Sequence, residues 1–306
     1  MLTRRTPEAH AAVLAEFRKM RSGGPFMPFT VGQDTIVFPG FDGAAEWGGP
    51  AVDRASNIIY INSNEMAWKA SLAENKPEGS AGQQLYTERC ASCHGETREG
   101  SPPQFPRLLD VHKRLTDAQI TRVIHAGKGR MPGSRQIKGE PLKALLAFLH
   151  DDPGEQKEAV GKAAPRNPYR FTGYRRWFDP DGYPAIAPPW GTLNAIDLDT
   201  GDYVWRIPFG EYPELADKTT GSENYGGPIV TAGGLLIIGA TNYDRKIRAF
   251  DIRTGKLLWQ HVMPYSGNAT PITYVANGKQ YVVIATSGSR NPKGPQGSAY
   301  VAFALP

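Results

Sequence analysis

The period of the apolar positions changes along this chain, and each change marks a different kind of element. Over residues 6–21, Val13, Leu14, Phe17 and Met20 fall on one face at helical spacing. Thr6 stands where a cap is needed and Pro7 suits the first turn, so the spacing predicts an amphipathic helix there. From Gly23 short alternating runs and turn residues take over. Ala51-Val52-Asp53 and Ile58-Ile59-Tyr60-Ile61-Asn62 predict a strand, a turn and a strand. The helical period returns between 80 and 150. Helices are expected over 82–89, over 117–126 with Ile120, Val123 and Ile124 inward, and over 141–150 with Leu142, Leu145, Leu146 and Leu149 inward. Strand texture resumes at Tyr169 and runs to Pro306.

Polar stretches rich in Pro, Gly and charge separate these regimes. The chain therefore divides into a β segment at 1–76, a helical domain at 80–152, a linker at 153–168 and a second β segment at 169–306. The second β segment repeats itself. Ala195-Ile196-Asp197-Leu198-Asp199-Thr200-Gly201 through Trp205 matches Ala249-Phe250-Asp251-Ile252-Arg253-Thr254-Gly255 through Trp259, about 54 residues apart, a period typical of propeller blades. Asp can bond the turn amides, Gly takes the positive φ, and Trp can pack between neighbouring blades. Two further hairpins are expected around 226–238 and 269–285. A helical domain thus interrupts a β-propeller sequence, as insertion into a surface loop allows.

Composition agrees with many short strands. The chain has 306 residues, 34 of them Gly and 26 Pro, which favours turns over a helical bundle. The formal net charge is +5. Residues 80–150 carry eleven Lys and Arg against six Asp and Glu, so the excess sits in the helical domain. No basic run is long enough to suggest nucleic acid; the charge reads as a solvated face or as docking to an acidic redox partner. No apolar stretch approaches the roughly 18 residues of a membrane span, and Met1-Leu2-Thr3-Arg4-Arg5 is not followed by the apolar core of a signal peptide.

Cys90-Ala91-Ser92-Cys93-His94 carries the clearest chemistry, and Cys90 and Cys93 are the chain's two cysteines. Two thiols two residues apart, followed at once by histidine, form the attachment signature of haem c. The thiols add to the two vinyl groups at one porphyrin edge, and His94 becomes an axial ligand. A thioredoxin-like dithiol is the rival, but it needs a βαβ unit that the pattern lacks. Met131, on the Gly129-Arg130-Met131-Pro132-Gly133 loop, is the candidate for the opposite iron face. His112 and His125 are the alternatives. Pro103 or Pro106 would offer a carbonyl to the far nitrogen of His94. Attachment of haem c implies export, so the expected compartment is the periplasm.

Four stretches resemble a known family. They are Phe38-Pro39-Gly40-Phe41-Asp42-Gly43-Ala44-Ala45-Glu46-Trp47-Gly48-Gly49, Pro188-Pro189-Trp190-Gly191-Thr192-Leu193-Asn194-Ala195-Ile196-Asp197, Asn224-Tyr225-Gly226-Gly227-Pro228, and Gly278-Lys279-Gln280-Tyr281-Val282-Val283-Ile284-Ala285. Together they resemble the quinoprotein dehydrogenases that bind pyrroloquinoline quinone (PQQ), in the branch similar to membrane glucose dehydrogenase and with an inserted cytochrome c domain. The resemblance implies a mainly β fold: part of an eight-bladed propeller interrupted by an all-α cytochrome domain. It implies oxidation of a sugar or alcohol by hydride transfer to PQQ, with Ca²⁺ as Lewis acid, then one-electron steps to haem c.

Carried over residue by residue, the resemblance places Glu46, Trp47, Trp190, Asn224 and Tyr225 at the quinone and makes the 287–289 segment its last facing loop. Asp244, Arg245 and Lys246 read as a solvated hairpin tip, with lining of the substrate mouth as the alternative. Glucose-oxidising members would carry histidine near 289; this chain has Ser289-Arg290, so the resemblance implies a sugar or alcohol substrate without naming glucose. The family's Ca²⁺ ligands and catalytic carboxylate lie N-terminal to anything here. The expectation is therefore the C-terminal part of a longer quinoprotein, with a missing N-terminal propeller half as partner. A cytochrome, a quinone or an oxidase would accept the electrons. The competing reading is an electron-transfer cytochrome whose propeller remnant only docks partners.

Overall fold

The computed structural model describes residues 1–24, 26–45, 48–75, 79–102, 105–150, 168–288, 291 and 293–304. The chain forms two compact units. One comprises Met1–Arg18, Val37–Trp68 and Arg176–Pro306; the other comprises Lys19–Ile36 and Lys69–Arg175. Lys19–Ile36, expected with the first β segment, thus belongs to the helical unit.

The first unit is built on three antiparallel sheets. Its first sheet orders Ala51–Asp53, Ile58–Asn64, Gly191–Asp197 and Tyr203–Pro208. Ile58 pairs with Asp197 and Asn64 with Gly191, so two strands far apart in sequence are direct neighbours in register. The helical segment therefore lies between the second and third strands of one sheet. The second sheet orders Ile229–Val230, Leu235–Ile238, Lys246–Asp251 and Leu257–Val262; the third orders Ile272–Ala276, Lys279–Ser287 and Ser298–Ala304. Alternation buries Tyr60, Leu193, Ala195, Leu236, Ile238 and Phe250 in one cluster.

The repeated turns form as their residues predict. Asp197 Oδ1 accepts from the amides of Asp199 and Thr200, and Asp251 Oδ1 from those of Arg253 and Thr254. Gly201 and Gly255 take φ of 80° and 67°. Trp205 reaches the second sheet, its indole donating to the Ile252 carbonyl at 2.9 Å. Trp259 remains 43% exposed, so the two tryptophans share a sequence position and differ in burial.

Helix α1 (Pro7–Phe17) is capped by Thr6, whose side chain accepts from the Ala9 amide. It ends four residues short of the expected 6–21 span. Arg21 bridges Thr35 instead, its amide donating to the Asp34 carbonyl, and backbone hydrogen bonds outside the helix win the segment.

The second unit carries α2 (Ala81–Arg89), α3 (Ala91–His94), α4 (Asp117–Ala126) and α5 (Glu140–Leu149). Thr116 and Gln119 close a capping box on α4. A Cβ at Gly82 would collide with the Ala144 carbonyl and Phe148, so this glycine lets α2 and α5 cross closely. Tyr86 and Phe148 pack beside that crossing with ring centroids 5.2 Å apart. Tyr86, Ala91, Val111, Ile120, Ile124, Ile137, Leu145 and Leu149 form the core, with Cys90 and Met131 packed against it. No described helix is long and apolar enough to cross a membrane.

Candidate functional site

In the helical unit, one turn assembles the cysteine-histidine motif. Cys90 is the last residue beyond α2 and the first before α3. The amides of Cys93 and His94 both donate to the Cys90 carbonyl, at 3.1 and 2.9 Å. This winds both thiols and the imidazole onto one turn. Gly95, at φ 74°, ends it.

His94 is 7% exposed and its Nδ1 lies 2.8 Å from the Pro106 carbonyl oxygen. A carbonyl only accepts, so Nδ1 must carry the proton and Nε2 keeps its lone pair for a metal. Burial holds the imidazole below its ordinary pKa despite that bond, which favours the neutral, ligating form. The carbonyl is thus Pro106's; Pro103 lies outside the described residues. Burial first, and Cys93 second, push the Cys90 thiol up to about 11. A dithiol redox pair needs the opposite shift.

Met131 sits on a tight loop, exchanging backbone hydrogen bonds with Lys128 at 3.0 and 3.1 Å. The loop is closed by the Ser134 amide on the Ile124 carbonyl and by His125 Nε2 on the Ile137 carbonyl, at 2.7 and 2.8 Å. His125 is thereby a strut of the Met131 loop. His112 packs against His150, ring centroids 5.1 Å apart.

In the propeller unit, turns from several strands converge. A Cβ at Gly48 would collide with the backbone of Gly226 and Gly227, and one at Gly226 would stand 2.8 Å from the Asn268 carbonyl. The Thr270 hydroxyl donates to the Gly48 carbonyl at 2.8 Å, and the Ser266 hydroxyl to the Asn242 carbonyl at 2.9 Å. Glu46 and Trp47, which precede this junction in sequence, lie outside the described residues, as do Ser289 and Arg290.

Three other expected pocket residues are fully buried here. Asn224 accepts at Oδ1 from Asn62 and donates through Nδ2 to the carbonyls of Ser63 and Ser222, so its amide is engaged inside the protein. The Tyr225 hydroxyl lies 3.0 Å from Asp42, 2.8 Å from Glu223 and 3.0 Å from Arg176. Burial alone would lower the Arg176 pKa; Glu223, Tyr225 and Asp42 outweigh it and raise it. The Trp190 indole donates to the Ile186 carbonyl, and its ring meets Tyr212 edge-on at 5.3 Å. Tyr212 in turn packs on Tyr243 at 4.4 Å.

The expected solvated tip at 244–246 is only partly solvated: Asp244 is buried, while Arg245 and Lys246 are half-buried. Asp244 is 4% exposed, bonded by Arg248 and Thr241 and by the amides of Lys246 and Glu211, while the Lys246 side chain pairs with Glu211. Four carboxylate-directed donors draw the tip inward.

Sequence reasoning missed two groups. One is the Arg176–Glu223–Asp42 ion cluster, whose members come from three distant segments. The other is Asn242, 1% exposed, whose side-chain amide atoms have no hydrogen-bond partner among the described residues, together with the Oδ1 of Asn268, which likewise has none among them. A buried amide without partners costs roughly 1–3 kcal/mol and invites a ligand that bears both donors and acceptors. Nothing in the sequence around Asn242 signals its burial.

Comparison with known proteins matches residues 1–116 and 135–282 to a family described as PQQ: glucose/ethanol/alcohol dehydrogenase, beta-propeller domain. The chain is 39% identical over 299 residues to quinoprotein glucose dehydrogenase A of Acinetobacter calcoaceticus, covering 95% of this chain and 28% of that protein. It is 30% identical over 298 residues to the quinoprotein glucose dehydrogenase of Escherichia coli, covering 95% and 29%. With the quinate/shikimate dehydrogenase (quinone) of Acinetobacter baylyi it shares 33% over 311 residues, 98% and 30% of the two chains. The chain thus spans under a third of the length of these curated relatives. The quinohemoprotein alcohol dehydrogenase of Comamonas testosteroni superposes with a TM-score of 0.44 at 14% identity, over 89% of this chain and 28% of that one.

Proposed function

Since the chain belongs to the PQQ-dependent glucose/ethanol/alcohol dehydrogenase propeller family, we propose that it is the haem-bearing part of a quinohaem dehydrogenase. The enzyme would oxidise a sugar or alcohol CH–OH group at PQQ and pass the electrons to a haem c held by Cys90 and Cys93. The observation that carries this reading is the His94 geometry: a neutral imidazole, Nδ1 bound to the Pro106 carbonyl, on the same turn as both thiols. That donor set fits haem. Cys90 and Cys93 would hold it covalently, His94 would ligate the iron through Nε2, and Met131 would take the other face. When bound, haem supplies one-electron storage.

The propeller turns fit the quinone in part. Among the described residues the Asn242 amide and Asn268 Oδ1 have no partner; Asn242 Nδ2 would donate to a ligand carboxylate or carbonyl oxygen, and the two Oδ1 atoms would accept from its N–H or O–H groups. Tyr225 and Trp190, fully buried here, are kept as pocket residues from the family resemblance alone, as are Glu46 and Trp47. PQQ supplies hydride acceptance when bound. Ca²⁺ is kept as the cofactor that the family resemblance implies, with ligands N-terminal to this chain. The compartment that haem attachment implies is the periplasm, and the final acceptor would be a cytochrome, a quinone or an oxidase.

The test is optical. The chain is expressed with haem maturation in the periplasm, PQQ and Ca²⁺ are added, and the reduced haem α-band is followed against a panel of sugars and alcohols. Reduction that requires both PQQ and substrate is the expected result for a chain active by itself. A haem reduced by dithionite and by no substrate assigns this chain the relay role, with oxidation needing further protein. A chain that attaches no haem covalently overturns the reading.

A further inference from the structure

We propose that the segment 169–174 is a clasp on the Cys90–His94 turn, and that Tyr174, through Phe105, is a positioning residue for His94. The inference rests on the haem reading above, and every contact it uses lies within the helical unit. Gly173, at φ 110°, packs where a Cβ would stand 3.3 Å from the Ser92 carbonyl and 3.5 Å from that of Ala91. Arg170 pairs with Glu96 at 3.1 Å, two residues beyond His94. The Tyr174 ring stacks on Phe105, centroids 5.3 Å apart and planes 15° apart. Phe171 meets Tyr174 edge-on at 4.9 Å, and Phe29 lies 5.8 Å from Phe171. The row has a firm base, because Tyr169–Phe171 pairs antiparallel with Leu72–Glu74.

Phe105 directly precedes Pro106, whose carbonyl accepts the hydrogen bond from His94 Nδ1–H. The loop that carries this carbonyl is pinned from one side by the histidine turn itself. The Gly100 amide donates to the His94 carbonyl, and Ser101 and Phe105 exchange backbone hydrogen bonds at 2.8 and 3.1 Å. Tyr174 pins it from the other side. The consequence is electronic: an imidazole whose distal N–H is held on a carbonyl is a more basic ligand. A more basic ligand favours ferric iron and lowers the haem potential. Removing the stack loosens Pro106 and raises the potential, whereas a purely structural Tyr174 would alter stability and leave the potential in place.

The experiment is a spectroelectrochemical titration of the full chain matured with haem, attachment being checked by haem stain on a denaturing gel. Tyr174→Leu and Phe105→Leu are expected to shift the midpoint potential upward together. Tyr174→Phe, which keeps the ring, is expected to stay with the wild type. Arg170→Gln, a milder variant that frees the same segment, should shift it in the same direction by less, and it carries the measurement if the leucine variants fail to mature. Haem attached with no shift in the variants that mature overturns the clasp. Tyr174→Phe moving as far as Tyr174→Leu overturns it too, since the hydroxyl and not the stack would then matter. A wild-type chain without covalent haem overturns the haem reading instead, and the clasp with it.

Discussion

Single residues decide most of the chemistry. Met131 packs against the same core as Cys90; under the proposed haem reading, Met131→Ala is expected to abolish a methionine-to-iron charge-transfer band and lower the haem potential. A retained band would remove Met131 as ligand. Arg176 is 6% exposed between Glu223, Asp42 and Tyr225. Arg176→Met leaves the buried Glu223 carboxylate and the partly buried Asp42 without their counter-charge, a change that typically costs on the order of 3–5 kcal/mol. Denaturant titration followed by tryptophan fluorescence measures it, and a loss below about 1 kcal/mol would mean water reaches the cluster.

Asp34 offers a pH readout in the helical unit. Burial raises its carboxyl, but the hydrogen bonds and charge of Arg175 outweigh this and hold it below the ordinary value. Its folded pKa is thus depressed, so its contribution is present above the unfolded pKa and lost as pH falls through the folded one. Asp34→Asn should flatten the acid limb of stability over that window; an unchanged slope would show that the pair contributes nothing.

At the scale of elements, helix starts and turns were legible because local chemistry sets them, whereas the end of α1 was not. Thr6, Thr116 and the two Asp-x-x-Thr-Gly turns satisfy backbone amides from within a few residues, and such bonds need no distant partner. The α2–α5 crossing was not legible, since a glycine at position 82 reads alone as a weak helix former. Gly82→Val is expected to force the crossing apart and lower the denaturation midpoint of the helical unit, read by its far-UV signal. An unchanged midpoint would mean that the backbones part without loss. The tip at 244–246 failed as a prediction for the same reason: three charged residues look solvated until Arg248 and Glu211 are brought to them.

The whole molecule is two units with different folding logic. Helices α2 to α5 follow one another closely, while the first propeller sheet must join 58–64 to 191–197 across the intervening helical segment. Non-local pairing carries the larger loop-closure cost and is slower. All six tryptophans of the chain belong to the propeller unit. On refolding, the far-UV helical signal should therefore recover before tryptophan fluorescence. Simultaneous recovery would mean that sheet closure does not limit the propeller unit.

The sequence by itself showed the Cys90-x-x-Cys93-His94 spacing, the repeat, the presence of the helices and the family, because each depends on spacing within a few turns of chain or on a repeated local pattern. Only the tertiary structure decided that residues 58–64 and 191–197 are neighbours in one sheet, that Pro106 serves His94, and that the Asn242 amide is buried with no partner among the described residues. It likewise decided that Arg176 gathers Asp42, Glu223 and Tyr225. These depend on which distant segments meet. Burial and electrostatics act through space, so they can be read only once the chain has folded.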